Sequence, residues 1–284
     1  MQFCLVRVRV SFWRHEQRRR EGASMGLIED IRPGEIGSER FGNVEVVEET
    51  GSTNSDALER GRAGAAEGLV LIAGSQVAGR GRLNRSWLGS PGGSILCSVL
   101  VKPQLDPEHV QLLTVAAGLA ARDALRAAAG LDADLKWPND LMSGGRKLGG
   151  ILTESVIGHD SVEFCVVGIG LNVNWPAADI PEEIAEIATS VSAELGRDAD
   201  RSAILKSFLA NFEDHLATAE QSPSHLIREY KENCATIGKR VKVATAGGTI
   251  EGYASGIDGH GRLLVSDEDA ENVAIDAGDL IEFS

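Results

Sequence analysis

Several absences narrow the field before any motif is read. The four cysteines, Cys4, Cys97, Cys165 and Cys234, are scattered and form no CxxC pair, so neither a zinc site nor a disulfide framework is indicated. No apolar run reaches the roughly 18 residues that a membrane span requires. Positive charge is scarce: the 284-residue chain carries a formal −14, which argues against non-specific binding to nucleic acid. Six histidines (His15, His109, His159, His215, His225 and His260) show no metal-ligand spacing and no GxSxG partner. No Walker A loop occurs, and Gly168-Ile169-Gly170 lacks the third glycine and following helix of a Rossmann fingerprint. No DNA or membrane partner is expected, and the cytoplasm is the expected compartment.

What remains is a chain with 43% apolar residues, enough for a substantial core in one large domain or two of ordinary size. Charge is unevenly spread. Residues 1–24 hold six arginines against two glutamates, a net +4, and the remainder carries −18. In that segment the apolar stretch precedes the arginine run, the reverse of a signal peptide. It is expected to be a basic upstream extension, either disordered or not translated, with Met25 as a candidate for the true start.

From there, periodicity predicts an α+β fold. Strands are expected at 44–49, 68–73, 94–101 and 131–137, and a hairpin at 147–156 and 162–173. Ser52 or Thr53 is a natural N-cap for a short helix over about 54–61. Residues 107–129, rich in Ala and Leu and stopped by Gly130, are the clearest helix. Two amphipathic helices follow at 201–219 and 223–233. After residue 234 the pattern changes to short alternating runs at 240–244, 249–255, 261–266 and 271–275, separated by glycine turns, which predicts a small β-barrel. The expected division is residues 25–234 and 235–284.

Three segments carry chemistry. In Gly79-Arg80-Gly81-Arg82-Leu83-Asn84-Arg85-Ser86-Trp87 the glycines allow close backbone approach, and the arginines offer charged donor forks for phosphate or carboxylate. Trp87 supplies a flat wall. A solvated basic loop is the alternative. In Lys136-Trp137-Pro138-Asn139-Asp140, Asp140 suits Mg²⁺ or a general base, and Lys147 seven residues on can neutralise developing negative charge. Gly149 and Gly150 suggest a ligand packed on that strand. In Gly168-Ile169-Gly170-Leu171-Asn172 the glycines leave room for a purine or sugar, and Asn172 can both donate to and accept from an adenine edge. As alternatives, Asp140 caps a turn and Lys147 is a surface lysine. Arg, Lys, Asp and Mg²⁺ suffice for phosphoryl or adenylyl transfer, which needs mainly positioning and charge neutralisation.

Taken in this order, the segments resemble the biotin protein ligases, in the form without an N-terminal DNA-binding domain. The resemblance rests on Ser52-Thr53-Asn54, Gln76, Gly79 to Trp87, Lys136 to Asp140, Lys147 to Leu152, Gly168 to Asn172 and Gly256-Ile257-Asp258 with Gly261 to Leu263. It implies a mixed-sheet catalytic domain of the class II synthetase-like type with flanking helices, and an SH3-like C-terminal barrel. It implies formation of biotinyl-5′-AMP from biotin and ATP with Mg²⁺, then transfer to a lysine of a biotin carboxyl carrier domain. Ser52, Thr53 and Gln76 would meet the ureido end of biotin, and Asn54, Gly79, Arg80 and Gly150 would complete its pocket. Arg82, Arg85 and Lys147 would hold carboxylate and phosphates, Trp87 would wall the adenylate, and Asn172 would read adenine. Asn139 and Asp140 would serve Mg²⁺ or the incoming lysine. The chain departs from the family at Leu83, often basic, and at Asn84, often glycine. A lipoate or octanoate ligase, and a module that only sequesters the adenylate or a carrier domain, are the rival readings. A homodimer is compatible with the resemblance.

Overall fold

The computed structural model describes residues 27–159, 161–266 and 272–283. The basic extension expected at 1–24, and Met25, lie outside the described residues. A short helix α1 (Pro33–Ile36) leads into strand β1 (Asn43–Thr50), helix α2 (Thr53–Arg62) and strand β2 (Leu69–Gln76). Strand β3 (Ser94–Val101), helix α3 (Gln111–Ala129), β4 (Asp134–Lys136), β5 (Asp140–Ser143), β6 (Arg146–Ile157) and β7 (Val162–Asn172) follow. These seven strands form one sheet in the order β1-β2-β3-β7-β6-β5-β4, parallel between β1 and β2 and antiparallel elsewhere.

One face of the sheet is covered by α3 and by α6 (Arg201–Gln221). Their apolar residues recur at helical spacing: Leu112, Val115, Ala116 and Leu119 on α3 meet Leu205, Phe208, Leu209 and Phe212 on α6 in the main core. Each fully buried leucine contributes about 2 kcal/mol. Helix α3 stops where Gly130 adopts φ +74°, a left-handed cap that a residue with a Cβ enters only at a cost. Helix α6 starts at Asp200, whose carboxylate accepts the Ala203 N–H at 2.9 Å. The opposite face is only partly covered, by Ala57 and Leu58 of α2 against Leu71, Leu100, Phe164 and Val166. That leaves an open stretch over β3, β7 and β6.

Short helices α4 (Glu182–Ala185) and α5 (Val191–Leu195) fill the looser region after β7, and α7 (Pro223–Glu232) packs beside α6. Beyond it, β8 (Arg240–Thr245), β9 (Gly248–Ile257), β10 (Leu263–Ser266), β11 (Val273–Ile275) and β12 (Asp279–Phe283) form an antiparallel sheet ordered β11-β10-β9-β8-β12. Among the described residues β11 and β12 are its two edges and do not pair, so the sheet is not closed by hydrogen bonds. Trp137 joins the two units: it is buried, its indole N–H donates to Gly261 O at 3.1 Å, and its backbone N–H donates to Thr236 Oγ1 at 3.0 Å.

The expected strands and helices are present, but the barrel expected after residue 234 is an unclosed sheet among the described residues, and the short helices α1, α4 and α5 were not expected. The strand expected over 131–137 shrinks to β4 and turns through Trp137-Pro138-Asn139 into β5, which is too short to show a period. Strand β12 was likewise not expected. No helix of the described residues is long and apolar enough to cross a membrane.

Candidate active site

Residues directly opposite one another in an antiparallel pair share a face. Gly150 opposes Gly170, Leu152 opposes Gly168, and Ser98 opposes Gly168 from the other side. Ser98, Gly150, Leu152, Glu154, Gly168 and Gly170 therefore all look onto the open face. Residue 147 would point the other way, but a bulge intervenes: Leu141 pairs with Gly149 and Met142 with Lys147, so β6 carries one extra residue. The bulge re-aims Lys147, whose Nζ lies 3.4 Å from where a Cβ on Gly150 would stand.

The N-terminus of α2 closes one end of the open face. Ser52 occupies the N-cap position without a side-chain cap bond. The cap comes instead from β2: Gln76 Oε1 accepts the Thr53 N–H at 2.7 Å and the Thr53 hydroxyl at 3.1 Å. A backbone N–H can only donate, so the Gln76 oxygen faces Thr53 and its Nε2 is left for other partners. The Ser98 hydroxyl lies 2.7 Å from Thr53 Oγ1 and 2.6 Å from Asn54 Oδ1. Asn54 Nδ2 donates to Leu152 O at 3.0 Å and to Glu154 Oε2 at 3.1 Å. Asn54 is thus committed to the protein on both its donor and acceptor sides. Gly168 is required beneath it, because a Cβ there would collide with the Asn54 amide.

The arginine loop forms a small hairpin beside this network. Trp87 N–H donates to Gly79 O at 2.9 Å, Arg80 bridges Ser86, and Gly81 N–H donates to Arg85 O at 2.7 Å. At its neck Arg80 forks onto Glu154, with NH2 to Oε1 at 2.7 Å and NH1 to Oε2 at 3.0 Å. At its tip Leu83 (φ 52°) and Asn84 (φ 59°) both turn left-handed. Asn tolerates that region; leucine does not do so freely. Leu83 is also 63% exposed, so no packing offsets its strain.

Cations gather at the second end of the face. Lys147 Nζ lies 2.6 Å from Asp140 Oδ1 and 5.7 Å from the centre of the Trp87 ring. Arg82 NH1 lies 3.4 Å from Asn139 Oδ1, a long contact, and Asn139 is itself fixed by donating to Ile151 O at 2.6 Å. Burial lowers the Arg82 pKa below the usual guanidinium value and the Arg85 charge adds to this, while Asp279 and Asp140 oppose it. Burial also lowers the Lys136 pKa, reinforced by Lys147 and opposed by Asp140. Half-buried like charges in one place are what an incoming anion would relieve. Arg85 reaches away to form an ion pair with Asp279 of β12.

Of the residues expected from the sequence, Ser52, Thr53, Asn54, Gln76, Arg80, Arg82, Arg85, Trp87, Asn139, Asp140, Lys147 and Gly150 line one cleft. Gly79 lies at the loop neck, against Trp87 O. Asn172 is apart: it is buried, and its Nδ2 donates to Thr189 O at 3.0 Å. Its Oδ1 and the Trp87 Nε1 are both buried without a hydrogen-bond partner. The space that the glycine strands were expected to leave for a planar ligand holds the Trp87 indole, which lies over Gly150 and Gly170. Three contributors were not anticipated. Ser98 could have been found as a polar residue in the apolar run 94–101, and Glu154 as sharing the period-2 face of Gly150. Asp279 carries no local signal.

Known proteins similar to this chain point to one family. Residues 46–173 match the Biotin/lipoate A/B protein ligase family, and residues 236–281 match the Biotin protein ligase C terminal domain. The biotin–[acetyl-CoA-carboxylase] ligase of Mycobacterium tuberculosis is 39% identical over 84% of this chain and 88% of its own length. The bifunctional ligase/repressor BirA of Bacillus spizizenii is 33% identical over 92% of this chain and 86% of its own. Among solved structures, the biotin protein ligase of Aquifex aeolicus in complex with biotin and ATP superposes with a TM-score of 0.73 at 31% identity, covering 86% of this chain and 98% of that one. A sheet with one open face, a helix end at one side and a cation cluster at the other thus sits within full-length likeness to such enzymes, and the chain belongs to the biotin protein ligase family.

Proposed function

We infer that the protein is an ATP-dependent biotin protein ligase. It joins biotin to AMP and then transfers the biotinyl group to a lysine of a biotin carboxyl carrier domain. The observation that carries this reading is likeness along nearly the whole length of ligases bearing that name, at 39% identity to the one from Mycobacterium tuberculosis. In the first step a carboxylate oxygen of biotin bonds to the α-phosphorus of ATP, and pyrophosphate leaves with the electrons of the broken P–O bond. In the second, the acceptor amine attacks the carbonyl of the mixed anhydride, AMP departs and the amine loses a proton.

The proposed division of labour follows the two ends of the cleft. Ser52, Thr53 and Gln76 meet the ureido head, with Gln76 Nε2 as the donor left over after capping α2. Arg82 and Lys147 offset the repulsion between the carboxylate and the phosphates, and Arg85 joins them on leaving Asp279. The loop covers the anhydride against water. Trp87 walls the adenylate and Asn172, whose Oδ1 has no partner, takes the adenine edge.

Mg²⁺ prefers one or two carboxylates together with phosphate oxygens and water. Asp140, with Asn139 beside it, fits that donor set, since Lys147 engages its Oδ1 and the second carboxylate oxygen remains. When bound there, the ion would neutralise phosphate charge.

We also propose the finer architecture: a catalytic unit over 25–234 and an SH3-like unit over 235–284, in the cytoplasm, with no DNA partner. The test is transfer of labelled biotin to a carrier domain with ATP and Mg²⁺. Absence of transfer, or octanoate used in preference, would overturn the reading.

A further inference from the structure

We propose that Glu154 is the positioning residue of the arginine loop, acting through Arg80. The proposal rests on the ligase reading, since it concerns how the loop presents Arg82 and Arg85 to an anion. Four observations carry it. Glu154 stands on β6, on the open face, four residues beyond Gly150. Both its oxygens are engaged by the Arg80 fork, at 2.7 and 3.0 Å, the planar two-point contact that fixes direction as well as distance. Its Oε2 also accepts from Asn54 Nδ2, and Asn54 is tied in turn to Ser98 and to Leu152 O. The neck of the loop is therefore bolted to the sheet, whereas the tip turns through two left-handed residues and reaches across to Asp279.

This assigns Arg80 a different task from its neighbours in the loop. An anion would have to break two charge-assisted bonds to recruit the Arg80 guanidinium, whereas among the described residues the one hydrogen bond of the Arg82 side chain is a long contact to Asn139. Glu154 touches no reacting atom. Its effect is to set where the tip begins, and displacement of a reacting group by about an ångström costs on the order of 100-fold in rate. Because Arg80 is 43% exposed and Glu154 22%, the pair adds little to global stability, and its removal should be felt in the loop.

The test uses the full chain with Glu154→Gln, Arg80→Gln and the double variant. Amide hydrogen exchange of the unliganded proteins should speed up within residues 79–87 in each variant, with the strands unchanged. Formation of biotinyl-adenylate in a single turnover should slow about tenfold, with biotin affinity altered less than threefold, as expected for misplacement and not for a lost contact. The double variant should be no worse than either single one. Unchanged exchange in the loop, or single effects that multiply in the double variant, would overturn the proposal. If the wild type forms no adenylate, the ligase reading fails, and the exchange result decides the positioning role on its own.

Discussion

The two ends of the cleft are built on opposite plans. At the helix end, Thr53, Asn54, Gln76 and Ser98 satisfy one another, and those on α2 are buried. At the cation end, Arg82 and Arg85 sit on a turn with two left-handed residues, and Arg85 is held by a residue from another sheet. A network of mutually matched polar groups, with Gln76 Nε2 as the one donor left over among the described contacts, is rigid and gives a fixed shape to recognise. Charges left half-matched on an exposed turn give a site that an arriving anion can rearrange. On the proposed division of labour, recognition falls to the matched network and chemistry to the turn.

That contrast breaks most visibly if the cations prove dispensable. Replacing Arg82 or Lys147 with Ala should lower kcat/KM for adenylate formation by about 100-fold or more, read as pyrophosphate release. A rate near wild type would remove the cation end from the chemistry. Next come the two functions of Gln76. Gln76→Leu loses both cap and donor, so biotin affinity should fall about tenfold or more and stability by about 1 kcal/mol. Gln76→Glu keeps an oxygen for the Thr53 N–H but loses the Nε2 donor, and should weaken biotin binding while leaving the thermal midpoint nearly in place. If both variants behave alike, capping and recognition are not separable in this way.

Smaller effects sharpen the picture of the tip. Asp279→Asn frees Arg85, whose side chain is 67% exposed, so the pair is worth under about 1 kcal/mol and KM for ATP should drop by no more than about fivefold. A rise in that KM would mean that Asp279 assists the nucleotide. Leu83→Gly relieves a left-handed leucine at about 1–2 kcal/mol, partly offset by the roughly 0.5–1 kcal/mol that glycine loses in chain entropy. The net gain of roughly 0.5–1 kcal/mol should appear in denaturant unfolding, and a loss would show that the turn is unstrained.

Much of this was legible in the sequence, for physical reasons that differ by element. Helices α3 and α6 carry long apolar stripes, and length is what makes a period visible. The arginine loop and Lys147 announce themselves by charge within an acidic chain. The bulge that turns Lys147 onto the open face leaves no mark, because one extra residue in a strand looks like any other. Strands β5 and β12, of four and five residues, are too short to alternate convincingly. The commitment of Arg80 to Glu154 depends on two segments 74 positions apart. The glycines of β6 and β7 were correctly read as making room, but the flat group they accommodate here is Trp87.

One consequence concerns how such a pocket can change over generations. Gln76 is at once the cap that starts α2 and part of the lining of the cleft. A substitution there that removed the side-chain oxygen would alter the pocket and also loosen the helix that presents Ser52, Thr53 and Asn54. Position 76 can therefore change the pocket without cost to the helix only where an acceptor for the Thr53 N–H is kept, whereas Leu83 and Asn84 at the loop tip carry no such double duty.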